Sequence, residues 1–211
     1  MIQFKPTTLK ITDLSCTRGD RDLFENLNFS LQSGEVLQIA GQNGCGKTSL
    51  LRILSGLMTA SAGKIFWDNC PVNESDYKQD FIYFGHHSAI KDELTALENL
   101  QFARKLQNDN GKDLFELLAR LTLAGFEDIP CHFLSAGQKR RVGLARLLIS
   151  NCPLWILDEP FTALDKDGVK DFEQICHEHI ELKGMIILTT HQNLQSLNAT
   201  ILNLNEYAVE Q

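Results

Sequence analysis

Val36-Leu37-Gln38-Ile39-Ala40 runs straight into Gly41-Gln42-Asn43-Gly44-Cys45-Gly46-Lys47-Thr48. A short apolar run reads as a buried strand. After Lys47, Leu50, Ile53, Leu54 and Leu57 recur at helical spacing, with Gly56 near the helix end. The octet between strand and helix fits G-x-x-x-x-G-K-[ST] in the setting that pattern requires. Glycines let the backbone curl so that successive N–H groups converge on phosphate oxygens, and the helix start adds positive potential. Gly41, Asn43, Gly44, Cys45, Gly46, Lys47, Thr48 and Ser49 are therefore the candidate phosphate contacts. Lys47 would neutralise the β- and γ-phosphates of ATP, and the Thr48 hydroxyl would face Mg²⁺.

Two further strand candidates lie downstream. Leu154-Trp155-Ile156-Leu157 is apolar and ends in Asp158-Glu159, after which Pro160 turns the chain into Phe161-Thr162-Ala163-Leu164-Asp165. A D-E pair after an apolar run is weak alone. About a hundred residues after a phosphate loop it points to metal and water chemistry: Asp158 holding Mg²⁺ through water, Glu159 polarising the attacking water. Met185–Thr190 forms the third run and delivers His191, which by itself would read as a surface histidine. At the end of such a strand it becomes a candidate γ-phosphate contact, because open α/β sheets place ligands at strand ends.

The bulk properties agree with a globular α/β chain. Its 211 residues are 43% hydrophobic, and the net charge of -7 argues against a broad nucleic-acid-binding face. Lys139, Arg140 and Arg141 form the one tight basic cluster, which a helix face explains. No apolar run approaches the ~20 residues of a membrane span, and Met1–Lys10 lacks the apolar core of a signal peptide. The 6 cysteines are scattered without a C-x-x-C pair and read as small buried or half-buried residues. Cys176 and His179 would share a helix face, read as solvated rather than metal-binding. Leu94–Lys105 and Leu114–Leu123 look helical, so residues 87–138 are expected to form a helical sub-lobe within a single domain spanning 1–211.

Leu134-Ser135-Ala136-Gly137-Gln138 precedes the helical run Lys139–Ile149. Ser135 suits an N-cap, and Gly137 lets the backbone approach an anion. With this stretch the chain resembles the ATP-binding cassette (ABC) family, whose signature is usually L-S-G-G-Q. The likeness covers essentially the whole chain and rests on four separated motifs in family order. It implies a phosphate-loop ATPase with a mostly parallel core sheet, an antiparallel β part and an inserted helical sub-lobe. It also implies a second copy as partner: Ser135, Gly137 and Gln138 of one copy would close the ATP site of the other, so each copy alone carries half of each site. Asp165 fits the loop that the family places beside the site.

Two positions leave the general pattern. Arg18, in Cys16-Thr17-Arg18-Gly19, stands where an aromatic residue usually stacks on adenine, and a guanidinium can also stack on a base. Phe84-Gly85-His86-His87 stands where the family usually carries a Gln that senses Mg²⁺. Imidazole is a poorer ligand for a hard cation, so His87 would act through water, or His86 in its place. Together with Leu94-Thr95-Ala96-Leu97-Glu98-Asn99-Leu100, Ala124–Pro130 and Ile187–Gln192, this loop resembles the cytochrome c biogenesis branch of the family. That resemblance implies a membrane-embedded B subunit (the haem exporter permease), associated cytochrome c biogenesis proteins, and a place on the cytoplasmic face of the bacterial inner membrane. The hydrolysis would drive haem export or release of a haem-loaded chaperone. The alternatives are a soluble, non-transport cassette ATPase acting on ribosomes or DNA, which would usually carry two cassettes or a long coiled coil not seen in this sequence, and the ATPase subunit of another ABC transporter.

Overall fold

The computed structural model describes residues 3–86, 89–106, 111–192 and 195–209. Its centre is a parallel sheet in the order β6-β7-β8-β3-β9, formed by β3 (Val36–Ala40), β6 (Phe81–Phe84), β7 (Leu154–Asp158), β8 (Met185–Thr189) and β9 (Thr200–Asn203). All five residues of β7, and all five of β8, are buried. Parallel strands covered on both faces need apolar runs such as Leu154–Leu157 and Met185–Leu188, each followed here by one buried polar residue, Asp158 or Thr189.

Alternate residues on these strands serve different cores. Leu154, Ile156, Met185 and Ile187 join Leu37 and Ile39 in one cluster, with Leu50, Leu51 and Leu54 of α1 (Lys47–Leu54). Trp155, Leu157, Ile186 and Leu188 join the other, with Leu100, Leu118 and Leu144. Those three leucines lie on α2 (Ala96–Leu106), α3 (Leu114–Arg120) and α4 (Ala136–Ile149).

The first cluster also takes in an antiparallel sheet, ordered β2-β1-β4-β5. Its strands are β1 (Thr8–Arg18), β2 (Arg21–Gln32), β4 (Ala62–Trp67) and β5 (Cys70–Pro71). In β1 the inward set Leu9 and Ile11 gives way to Leu14 and Cys16. A register shift between Ile11 and Leu14, with Asp13 at φ 49°, makes that change of phase possible.

Helix ends follow local chemistry. The Thr95 hydroxyl accepts from Glu98 N (3.1 Å) while the Glu98 carboxylate accepts from Thr95 N (2.9 Å), so α2 starts at Ala96, two residues later than the periodicity suggests. α3 stops at Arg120 rather than Leu123, where Thr122 turns to φ 58°. The final helix, α5 (Lys166–Glu181), corrects the reading of its Cys176/His179 face. Both side chains are buried; His179 stacks on Trp155 at 3.8 Å between ring centroids, and its Nε2 lies 3.1 Å from Pro153 O. The face packs on the sheet because Phe172, Ile175 and Cys176 form one apolar stripe. Four cysteines are buried and Cys45 and Cys70 half-buried, all of them free thiols. No helix among the described residues is long and apolar enough to cross a membrane.

Candidate active site

Because β3, β6, β7 and β8 run parallel, their C-terminal ends meet on one edge of the sheet. Each delivers one part of the candidate site: the 41–48 loop, Gly85-His86, Asp158-Glu159 and His191. A cleft of about 660 Å³ opens there. Its lining includes Asn43, Gly44, Gly46, Lys47, Thr48 and Ser49 from the loop, with Asp158, Glu159 and His191 opposite.

The loop geometry depends on glycine. Gly46 caps α1 at φ 108°, and a Cβ there would lie 3.2 Å from both Leu23 Cβ and Phe24 Cδ1. A side chain at this position would strain the backbone and crowd the apolar floor. With no side chain capping α1, its first N–H groups remain for a ligand. The Lys47 ammonium lies across the loop, donating to Gly41 O (2.7 Å) and Gln42 O (3.1 Å). Cys45 is directed inward: a Cβ on Gly41 would fall 2.6 Å from its sulfur.

Asp158 is 3% exposed and held from both sides. Thr48 Oγ1 donates to its Oδ2 (2.9 Å), and Thr189 Oγ1 to its Oδ1 (2.7 Å). Thr48 and Asp158 thus form a close all-oxygen pair beside the phosphate loop, the donor type that a hard divalent cation prefers, with water and phosphate completing its shell. Those two residues fit Mg²⁺. Next in the chain, Glu159 takes a left-handed conformation, φ 50°. Its N–H donates to the hydroxyl (3.0 Å) and carbonyl (3.2 Å) of Thr189. Glu159 Oε1 then lies 3.5 Å from His191 Nε2, and the histidine is 67% exposed.

Arg18 and His86 line the same cleft. His87, the other candidate in that loop, lies outside the described residues. The signature is elsewhere: the lining of the cleft, among the described residues, does not include Ser135, Gly137, Gln138 or Asp165. Ser135 is the N-cap of α4, whose first turn contains Gly137 and Gln138. The Ser135 hydroxyl accepts from Gln138 N (3.2 Å), and the Gln138 side chain accepts from Ser135 N (2.9 Å). A Cβ on Gly137 would meet Ala163 O at 2.9 Å, so the helix start sits directly against the 161–165 loop. Asp165 caps α5 through Gly168 N (2.9 Å) and pairs with Arg141 (2.6 Å). That backbone N–H, helped by the guanidinium, holds its carboxyl below the usual range.

Several side chains escape a reading by motif. Arg21 and Thr162 line the cleft. Thr189 joins Asp158 to Glu159, and its only sequence signal is a hydroxyl at the end of an apolar strand. The cluster at 139–141 is not a simple solvated face. Lys139 pairs with Asp92 (2.9 Å), while Arg140 is buried and directed at backbone carbonyls. Among the described residues no cluster of metal-ligand type occurs.

Comparison with known proteins agrees with this geometry. Residues 24–162 match the family model described as ABC transporter. The chain is 50% identical over 189 residues to the cytochrome c biogenesis ATP-binding export protein CcmA of Aliivibrio fischeri, covering 88% of this chain and 93% of that one. It is 45% identical over 211 residues to the protein of the same name from Haemophilus influenzae, covering 98% and 100%. The fold matches a putative ABC transporter ATP-binding protein of Pyrococcus furiosus at TM-score 0.82 (24% identity, 96% and 100% covered). It also matches a dimeric ATP-binding cassette bound to ADP and Pi at TM-score 0.81 (24% identity, 96% and 97% covered). The chain belongs to the ABC transporter family of ATPase subunits, in its cytochrome c biogenesis ATP-binding export branch.

Proposed function

We propose that this ATPase works as a pair of identical copies that sandwich two ATP molecules and drive a membrane-embedded partner of the cytochrome c biogenesis system. The observation that carries the reading is the approach of Glu159 to His191 at 3.5 Å, in the cleft that Lys47, Thr48 and Asp158 share. Lys47 and the N–H groups of the 41–49 loop bind the phosphates. Thr48, and Asp158 through water, would hold Mg²⁺, which would supply positive charge to offset that of the phosphates. Arg18 stacks on the adenine.

Glu159 orients a water in line with the γ-phosphorus and takes its proton as the P–O bond to ADP breaks. His191 donates to the γ-phosphate oxygens and keeps Glu159 facing the water. Ser135, Gly137 and Gln138 act in trans: a helix start with a filled capping box presents its N–H groups to the phosphate held by the other copy. Asp165 stands beside that contact, and His86 or His87 reports nucleotide state to the helical lobe, 87–138. That lobe passes closure to the permease subunit at the cytoplasmic face of the inner membrane, where the cycle exports haem or frees a haem-loaded chaperone. The relatives' names support this assignment, since they are export proteins of cytochrome c biogenesis.

The test is Glu159→Gln, which keeps the size of the side chain and removes the base. With ATP and Mg²⁺ the variant is expected to elute as a dimer retaining ATP, with turnover reduced at least about a hundredfold. Turnover at the parental rate would overturn the assignment. Copurification of the parental chain with an integral membrane subunit, rather than ribosomes, tests the partner.

A further inference from the structure

A guanidinium offers five N–H donors in a rigid planar fork, and Arg140 has all five matched to backbone carbonyls. Nε donates to Pro160 O (3.2 Å), Nη1 to Gly85 O (3.3 Å) and His86 O (2.9 Å), and Nη2 to Asp158 O (3.3 Å) and Glu159 O (2.5 Å). The side chain is 3% exposed, with its guanidinium carbon 4.2 Å from the centre of the Phe84 ring. A charge so placed is costly unless every donor is satisfied, and here every donor is. Burial draws the guanidinium down to about 10, which still leaves it charged at neutral pH.

The five acceptors belong to two segments, the exit of β6 and the exit of β7. Arg140 itself belongs to a third, the second turn of α4. One side chain therefore joins the His86 loop, the Glu159 loop and the helix whose first turn is the signature. Glu159 needs such support, because a left-handed backbone at a non-glycine residue costs roughly 1 kcal/mol or more. Its backbone is gripped on both sides of the α-carbon: the N–H by Thr189 and the carbonyl by Arg140.

We infer that Arg140 is a positioning residue for hydrolysis, fixing the peptide of Glu159 and making its alignment depend on where α4 and the His86 loop sit. The inference rests on the reading of Glu159 as the base. In the proposed dimer it has a further consequence: the first turn of α4 serves the partner's ATP, while Arg140, one turn later, holds this chain's own Glu159. Movement of α4 on one ATP thus reaches the base facing the other ATP.

Arg140→Lys keeps the charge but supplies a compact three-donor group that cannot span both loops; Arg140→Gln keeps two donors without charge. In the full-length chain, ATP affinity (titration with a fluorescent ATP analogue) and KM are expected to stay within about twofold. Misplacing the base should lower kcat roughly 10- to 100-fold. Because Arg140 acts through Glu159, adding Arg140→Lys to Glu159→Gln should lower the residual single-turnover rate by less than about twofold. An undiminished kcat in both Arg140 variants overturns the inference, as does a full multiplicative loss in the Glu159→Gln background. Loss of ATP binding in both single variants also overturns it, since Arg140 would then brace the whole fold. Parental turnover in Glu159→Gln alone refutes the base assignment itself, a result independent of the Arg140 variants.

Discussion

Thr189→Val removes one buried hydroxyl of the candidate site at nearly constant volume. The hydroxyl of Thr189 donates to Asp158 Oδ1 (2.7 Å) and accepts from Glu159 N (3.0 Å), in surroundings where Thr189 is 1% exposed. Valine removes both contacts. Glu159 N keeps its second acceptor, Thr189 O at 3.2 Å, so the backbone donor is not orphaned. Asp158 keeps Thr48 on Oδ2, but its Oδ1 then faces a methyl group. The loss is thus one hydrogen bond to a charged group, about 2 kcal/mol. For a chain of this length that lowers Tm by roughly 4–8 °C. Thr189→Ser retains the oxygen and should lose much less. Differential scanning calorimetry at neutral pH, without nucleotide or Mg²⁺, measures the pair directly. ATP turnover should fall further in the valine variant than stability alone explains, because Asp158 and Glu159 both lose a constraint on orientation. A Thr189→Val chain that melts with the parent, or above Thr189→Ser, would refute this account of how Asp158 is held.

Two other perturbations have definite signs. Burial draws the His179 imidazole down from its ordinary value to about 4. Stability from its neutral form is therefore complete above about pH 6.5 and is lost as pH falls towards 4, by up to about 3 kcal/mol. Urea midpoints measured across that window should fall more steeply in the parent than in His179→Gln. Asn99, 5% exposed, accepts from Lys91 N (2.7 Å) and donates to the carbonyls of Lys91 (3.0 Å) and Thr95 (2.9 Å). Asn99→Ala should cost about 2–4 kcal/mol, with faster hydrogen exchange at residues 91–95; unchanged exchange there would remove the structural role assigned to it.

What could be read from the chain beforehand was whatever is encoded locally. The 41–48 loop carries strand, turn glycines, lysine and helix start within some twenty residues, and the buried runs of β7 and β8 are continuous apolar segments. Arg140 was not legible, because a basic residue among basic neighbours looks solvated until β6 and β7 bring five carbonyls around it. His179 misleads for a related reason: Cys176-His177-Glu178-His179 is polar by composition, while the apolar stripe of Phe172, Ile175 and Cys176 turns His179 onto Trp155. The inward phase of β1 depends on a left-handed Asp13 that alternation cannot anticipate. Asn99 sits in a stretch whose likeness to the cytochrome c branch is visible in sequence, while its work as a peg for the 91–95 turn appears only in three dimensions.

The division of β7 between two cores carries one more consequence. Trp155 and Leu157 face one cluster, Leu154 and Ile156 the other, and Asp158 continues the same strand into the cleft. A slip of one residue would move an indole into a space shaped for an isoleucine and carry the carboxylate about 3.3 Å away from Thr48. The measure that keeps the two cores filled is therefore the same measure that sets the carboxylate at its partner hydroxyls, and the size of an indole serves as the ruler.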